Sequence, residues 1–574
     1  MMRRLWWLTM VLVVALLPSV RMGQPPAHDE EARLPAPGPP ADHRLQARGQ
    51  PNAQHYREGE VVIRFARHPD EKTMRRWLDE VDAVHVRHNH LVCIVRSRVK
   101  STEELIRFFS DKGVAYVEPN YVFRTNAFHG GAATGPPSQP PNTGARKRVP
   151  NDEFYRPYQW NLPLIGSERG WRISTGEPTV VVAVVDTGVD LDHPDLRGQL
   201  VPGRNIVNPA APPQDDQGHG THVAGIIAAR TNNHRGVAGV TWQCRIMPVK
   251  VLDANGAGNL FDVGDGIIWA TDNGAKVINL SLGNYVASRY LRDAVRYAFE
   301  RDVVLVAASG NDALPDSGFP ASYPEVLAVS ALRPDRHLAT YSNYGSSIDL
   351  TAPGDNIAST FPDNQYAAMS GTSMASPHVA GVAALVRSVN PTLSNREVMA
   401  LLIRTSRDLG RPGWDPLYGH GQVDVAAALR EAERTYERRV DAIAQRLAQV
   451  LRRLGLTDSA QSRGLTGNEL AALLSHLFGD RGAEKARDLR QRRHVTLGEF
   501  DRLLEAFERD AGRGSRSNGF LASPLLPERA QSPLTLRAAV VRMVERGWRL
   551  VPQQIPDVKV EQGAHIRDGQ TERR

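Results

Sequence analysis

Residues 180–190 read Val-Val-Val-Ala-Val-Val-Asp-Thr-Gly-Val-Asp. Six consecutive small or β-branched apolar residues ending on an aspartate describe a strand buried on both faces, as in a parallel sheet covered by helices. A strand with one wet face would alternate instead. Runs of the same kind recur at Ile246–Leu252, Val277–Leu282, Val303–Ala308 and Val326–Ala331, with helical spacing near 260–273 and 288–300. This alternation predicts an α/β domain, doubly wound on a mostly parallel sheet, over residues 151–430. Its site is expected at the carboxyl ends of the strands.

The chain is 574 residues long, too long for one compact domain. A hydrophobic fraction of 41%, 23% charged residues and a mean hydropathy of −0.37 exclude a multi-span membrane protein and a wholly disordered chain. Residues 1–23 begin with Arg3 and Arg4 and continue as an uncharged apolar run from Leu5 to Val20. That run is shorter than the about 20 residues of a membrane span and predicts a secretory signal, with an uncleaved anchor as the alternative. Residues 24–55 are rich in Pro, Ala and charge and read as a linker.

From Tyr56 to Asn126 the pattern is β-α-β-α-β: EVVIRF (60–65), a helix over 70–81, LVCIV (91–95), a helix opened by the Ser101/Glu104 capping box, and VAYVEPNYVFR. The spacing predicts a small ferredoxin-like α+β domain. Residues 127–150 are Gly/Pro-rich and end in Arg146-Lys147-Arg148, a solvated linker or a proteolytic processing site. Residues 431–574 read as an Arg-rich helical extension holding 26 basic against 20 acidic side chains, six of the seven net positive charges. A solvated helical face accounts for that excess, so no nucleic-acid partner is expected. Cys93 and Cys244 lie in different units and are expected to be free thiols.

Three polar residues stand where strands end or helices begin. Asp186 closes the run quoted above, His219 lies in GHGTHVAGIIAA, and Ser373 lies in SGTSMASPHVAGVAALV. A serine needs a base to become a nucleophile, and the base needs a carboxylate to fix its tautomer. Separately, each is an ordinary turn or cap residue. His219 and His222, with no third ligand nearby, do not read as a metal pair.

Together these strings resemble the subtilisin-like serine proteases, thermitase-like members in particular, over Asn151–Leu429. The order Asp, His, Ser agrees with that family, and Gly371-Thr372-Ser373-Met374-Ala375 does not fit the G-x-S-x-G of α/β-hydrolases. The resemblance implies a secreted endopeptidase of broad specificity acting on polypeptides. Ser373 would be the nucleophile, His219 the base, Asp186 its orienter and Asn311 the side-chain donor of the oxyanion hole. It places peptide-binding edges at Gly256-Ala257-Gly258 and Ser281-Leu282-Gly283, and the main specificity pocket at Gly310, Asp312 and Gly318. It implies one structural calcium ion held by Asp152, Asp195, Asn233 and the carbonyls of Arg230, Arg235 and Val237. A second calcium loop is reduced to Asp215 and Asp216. No cofactor is expected for catalysis. The 56–126 unit resembles the family's inhibitory propeptides, and the enzyme is expected to be a monomer. A silent binding protein on the same fold is the alternative, which a fluorophosphonate probe would separate.

Overall fold

The computed structural model describes residues 56–125, 128–129, 149–453, 464–478, 480–510 and 531–545. The signal segment 1–23, the linker 24–55 and most of the 127–150 connection lie outside the described residues.

The N-terminal unit comprises β1 (Tyr56–Phe65), α1 (Glu71–Glu80), β2 (Ala83–His88), β3 (Cys93–Ser97), α2 (Thr102–Ser110) and β4 (Val114–Thr125). All pairings among its four strands are antiparallel, in the order β4-β1-β3-β2. The order along the chain is therefore β-α-β-β-α-β, one strand more than the sequence pattern suggests. β2 escapes because it is an edge strand whose valines, Val84 and Val86, face solvent at 40% exposure. Ser101 forms the expected capping box with Glu104.

A two-residue strand β5 (Phe128–His129) follows, and beyond residue 149 come three single-turn helices, α3 (Tyr155–Tyr158), α4 (Asn161–Leu164) and α5 (Ser167–Gly170). The central sheet then builds from β6 (Val181–Asp186), β7 (Arg204–Asn205), helix α6 (His219–Ala228), β8 (Arg245–Lys250), β9 (Ala257–Asn259), α7 (Leu260–Asp272), β10 (Val277–Leu280), β11 (Leu282–Gly283), α8 (Arg289–Glu300), β12 (Val304–Ala308), β13 (Val326–Leu332) and β14 (Leu350–Pro353). Seven of these strands pair in parallel, in the order β14-β13-β12-β10-β6-β8-β7. Along β6 the side chains alternate between two cores: Val182 and Val184 pack on one side with α6 residues, Ala183 and Val185 on the other with α7 and α8 residues. The doubly wound α/β fold read from residues 180–190 is the one observed.

A hairpin of β15 (Ile357–Phe361) and β16 (Gln365–Ser370) leads into α9 (Thr372–Val389), buried along nearly its whole length, and α10 (Asn395–Arg404). Helix α11 (Val425–Arg453) runs through the expected domain boundary at 430/431. It is one uninterrupted helix of 29 residues, about 43 Å long. Val425, Ala428, Leu429 and Ala432 belong to the core of the central α/β domain, whereas Val440, Ile443, Leu447 and Leu451 belong to a separate C-terminal core. A helical pattern carries no mark where one core hands over to the next. The C-terminal core adds α12 (Gly467–Phe478), α13 (Asp480–Lys485), α14 (Leu497–Asp510) and α15 (Leu536–Glu545). Capping boxes Thr466/Glu469 and Thr496/Glu499 open α12 and α14. The backbones of Leu465, Val495 and Leu534 close a three-membered ring of hydrogen bonds of 2.7–2.9 Å.

The N-terminal unit docks on α7 and α8 through β4. Glu118 accepts from the Ser288 hydroxyl (2.8 Å) and from the N–H groups of Tyr290 (2.9 Å) and Arg289 (3.1 Å). Asn120 Oδ1 accepts from the Phe261 N–H at 3.1 Å. Two side chains on one face of a strand thus satisfy donors that the first turns of two helices leave over. Arg87 pairs with Asp262 at 2.7 Å, and Arg64 and Tyr116 both reach Asp293. Glu118→Ala leaves three donors without their acceptor. In a chain that retains residues 56–125, amide exchange of β1 and β4 should accelerate by the equivalent of about 2–3 kcal/mol, read by hydrogen–deuterium exchange.

Candidate active site

Asp186 ends β6 and His219 begins α6. Gly220 lets the two elements meet, since a Cβ there would lie 2.0 Å from the Gly188 carbonyl oxygen. His219 Nδ1 and Asp186 Oδ1 are 2.7 Å apart and both side chains are buried. Asp186 Oδ1 also accepts from the Thr187 N–H at 2.7 Å. With Nδ1 facing a carboxylate, the imidazole carries its proton there and leaves Nε2 as the basic nitrogen. The second histidine of the motif, His222, turns away, with Nε2 3.0 Å from the carbonyls of Ile357 and Ala367.

Ser373 is the second residue of α9. Four residues on stands Pro377, which has no N–H to give to the Ser373 carbonyl. Ser281 supplies the missing donor: its Oγ donates to that carbonyl at 2.9 Å. In return the Ser373 hydroxyl donates to the Ser281 carbonyl at 3.1 Å, and not to His219. Behind this pair, Ser376 Oγ donates to Asn279 Oδ1 (2.7 Å) and Asn279 Nδ2 donates to Ser281 Oγ (2.9 Å). All four side chains are fully buried. Asn311 Oδ1 accepts from the N–H (2.8 Å) and hydroxyl (3.0 Å) of Thr372, which fixes its amide plane beside the start of α9. Sequence reading missed Thr372 and the side-chain role of Ser281. The proline inside SMASPH was the available sign that a carbonyl one turn back needs an outside donor.

The two glycine-containing edges flank the last residues of β4. Val122, Phe123 and Arg124 pair antiparallel with Asn259, Gly258 and Ala257, while Arg124 and Thr125 pair with Gly283 and Leu282. The Thr125 N–H donates to the Gly256 carbonyl at 3.0 Å. Past Thr125, β5 pairs with β16, His129 opposite Met369 and Phe128 opposite Ser370, three residues before Ser373. Gly310, Asp312 and Gly318 lie on the Ser309–Phe319 segment, which runs beside the β11 end: Asn284 and Phe319 exchange two backbone hydrogen bonds. The Tyr285 hydroxyl donates to Asp312, and Asn343 Nδ2 donates to that hydroxyl at 2.7 Å. Burial pushes the Tyr285 phenol above its ordinary range, and Asp312 adds to the shift.

Asp152 and Asp195 are buried on either side of the 230–237 loop. Asp152 accepts from the N–H groups of Asn232 (2.8 Å) and Asn233 (3.4 Å). Asp195 accepts from the Asn233 side chain (2.7 Å) and the Val237 N–H (3.0 Å). Burial pushes the Asp195 carboxyl up to about 6, and the charge of Asp152 adds to the shift. Arg230 and Arg235 belong to the same loop. Among the described residues no three His, Cys, Asp or Glu side chains cluster as a metal site. Asp215 and Asp216 are engaged elsewhere, Asp215 with Thr221 and the turn before His219, Asp216 with Lys250 at 2.7 Å. Cys93 and Cys244 are buried free thiols.

A strand-end aspartate bonded to a histidine, and a serine at a buried helix start in the same fold, are what a serine hydrolase with a peptide-sized cleft requires. The Subtilase family pattern matches residues 177–421. The thermophilic serine proteinase of Bacillus sp. (strain AK1) is 39% identical over 367 residues, covering 63% of this chain and 86% of that protein. Thermitase of Thermoactinomyces vulgaris is 44% identical over 282 residues, 49% of this chain and 99% of that protein. Among solved structures, fervidolysin from Fervidobacterium pennivorans, a keratinolytic enzyme related to subtilisin, matches with a TM-score of 0.59 at 30% identity. That match covers 67% of this chain and 62% of fervidolysin. The chain belongs to the subtilase family and is a subtilisin-like serine endopeptidase.

Ser281→Ala should leave the Ser373 carbonyl buried without a donor. The expected cost is about 1–3 kcal/mol in denaturant unfolding of the peptidase core, with a fall in kcat.

Proposed function

We propose that this chain is the exported precursor of a broad-specificity endopeptidase that removes its own N-terminal unit, residues 56–126. One observation supports the reading above all: the end of β4 lies as a substrate would, antiparallel between both edges and leading towards Ser373. Peptide recognition by strand addition needs main-chain donors and acceptors on the receiving edges and little side-chain bulk there. The bond to be cut then falls among those joining Thr125 to Phe128, because the non-primed pairing ends at the first and pairing with β16 resumes at the second. A unit that blocks the cleft in this way is an intramolecular inhibitor until it is cut.

In this reading Ser373 attacks the carbonyl while His219 Nε2 takes its proton, and Asp186 stabilises the imidazolium. His219 then gives the proton to the leaving amine, and water resolves the acyl-enzyme by the same route. Asn311 and the Ser373 N–H at the start of α9 would hold the oxyanion. For attack, the Ser373 hydroxyl must exchange the Ser281 carbonyl for His219 Nε2, a buried atom with no hydrogen-bond partner among the described residues. The specificity pocket lies between the Ser281–Asn284 and Ser309–Phe319 segments. With Tyr285 hydrogen-bonded to Asp312, the rim carboxylate is partly engaged, and large apolar side chains are favoured over basic ones.

The carboxylates of Asp152 and Asp195 fit a structural calcium ion, being buried, close enough that the charge of Asp152 raises the proton affinity of Asp195, and next to the Asn233 amide. The side chains of Asp152, Asp195 and Asn233 and the carbonyls of Arg230, Arg235 and Val237 would hold it. Calcium would neutralise the two buried charges and pin the loop to the N-terminus of the peptidase core. Export is read from residues 1–23. Among the described residues no helix is long and apolar enough to cross a membrane.

Expressing Ser373→Ala in cells lacking other active proteases tests the central reading. The variant should accumulate with residues 56–126 still joined, while the parent appears with a new N-terminus between 126 and 150. Equal maturation of both would reject self-processing and direct attention to Arg146-Lys147-Arg148. For the metal, chelator should lower the thermal midpoint of the parent by several degrees, and Asn233→Ala should shrink that response. A midpoint indifferent to chelator would remove calcium from the account.

A further inference from the structure

β16 pairs with β15 on one side and with the two residues of β5 on the other. The His222 Nε2 atom is 3.0 Å from both the Ile357 and the Ala367 carbonyl oxygens, so both carbonyls point into the space between β15 and β16. Ala368 and Tyr366 alternate with them and direct their backbone groups to the opposite edge, the one β5 uses. Among the described residues, nothing pairs with β16 there beyond Met369. A polypeptide continuing past the β5 position therefore finds about 10 Å more of open strand edge leading to Tyr366.

At the end of that edge is a concavity of about 520 Å³ lined by Asp192, Pro194, Arg197, Arg235, Asn364 and Tyr366. Arg197 and Arg235 are exposed, and neither forms an ion pair with a carboxylate among the described residues. A second concavity of about 490 Å³ shares both arginines and adds Arg230. Asp192 is the one acidic side chain lining either.

In an added antiparallel strand, the residue directly opposite Tyr366 presents its side chain on the face Tyr366 uses, with Cβ atoms about 5 Å apart. Phe128 lies opposite Ser370, so the position opposite Tyr366 is four residues further downstream. We infer that the Arg197/Arg235 concavity is a primed-side subsite that takes an acidic side chain of the substrate polypeptide, four residues beyond the one paired with Ser370. The inference rests on the proposed substrate path along β4 and β5. It adds a preference far from the cut bond, made by charge and by strand register. Counted along the sequence, the residue four beyond Phe128 is Ala132, which carries no charge for such a subsite to bind.

The test uses mature enzyme and two peptides with the sequence of residues 119–135, one carrying Ala132→Glu and one Ala132→Gln. Both should be cut between Thr125 and Phe128. At low ionic strength kcat/KM should be about two- to fivefold higher for the Glu peptide, carried by KM. That ratio should fall to one in 0.5 M salt, where exposed charges are screened, and to one or below in Arg197→Glu. Equal kcat/KM for the two peptides at low salt, with cleavage at the expected bond, overturns the subsite alone. Absence of cleavage between Thr125 and Phe128 in both overturns the substrate path and the subsite with it.

Discussion

The carbonyl of Ser373 has no helical donor, because Pro377 stands one turn further along α9. A network of four buried side chains is arranged around that gap. Ser281 closes it from β11's entry, Asn279 and Ser376 hold Ser281, and the Ser281 carbonyl in turn receives the Ser373 hydroxyl. A neutral hydroxyl donor at this point fixes the nucleophile's backbone without adding charge in a fully buried place. It also ties the start of α9 to the β11 edge, so the proposed nucleophile and the proposed substrate edge share one reference point.

That edge explains the shape of the rest. A parallel sheet covered on both faces hides its central strands, and the cleft must be made from short segments after the strands: β9, β11 and β16. Each is only two to six residues long, and the first two carry glycine. β4 fills the gap between β9 and β11, and its side chains Glu118 and Asn120 meet the starts of α8 and α7. The same strand thus answers two demands, pairing with edges that would otherwise be open and satisfying helix donors that would otherwise face water. An unpaired strand edge is a liability in any fold, and here an N-terminal unit covers it.

The C-terminal helices form a core of their own, and α11 belongs to both cores. A continuous helix transmits orientation in a way a Gly/Pro linker does not. The extension is consequently joined to the peptidase core by a continuous helix, not by a Gly/Pro linker. Its ring of backbone bonds among Leu465, Val495 and Leu534 and the buried Arg542–Asp501 pair give it internal definition.

Much was legible in the chain alone. Two-sided burial leaves a continuous apolar run, so β6 and its parallel neighbours announced themselves; Asp186 stood out as the polar residue closing such a run, and His219 and Ser373 as polar residues where helices begin. β2 did not, because a solvent-facing edge strand of six residues leaves no such run. The expected 430/431 boundary falls inside α11, because helical periodicity is indifferent to which core it packs on. The Ser281–Ser373 exchange, the Tyr285–Asp312 contact and the path of β4 between β9 and β11 join residues tens to hundreds of positions apart. Local pattern records what a residue buries; only the folded chain decides which distant donor meets which acceptor, since that depends on register and on the few ångströms separating two elements.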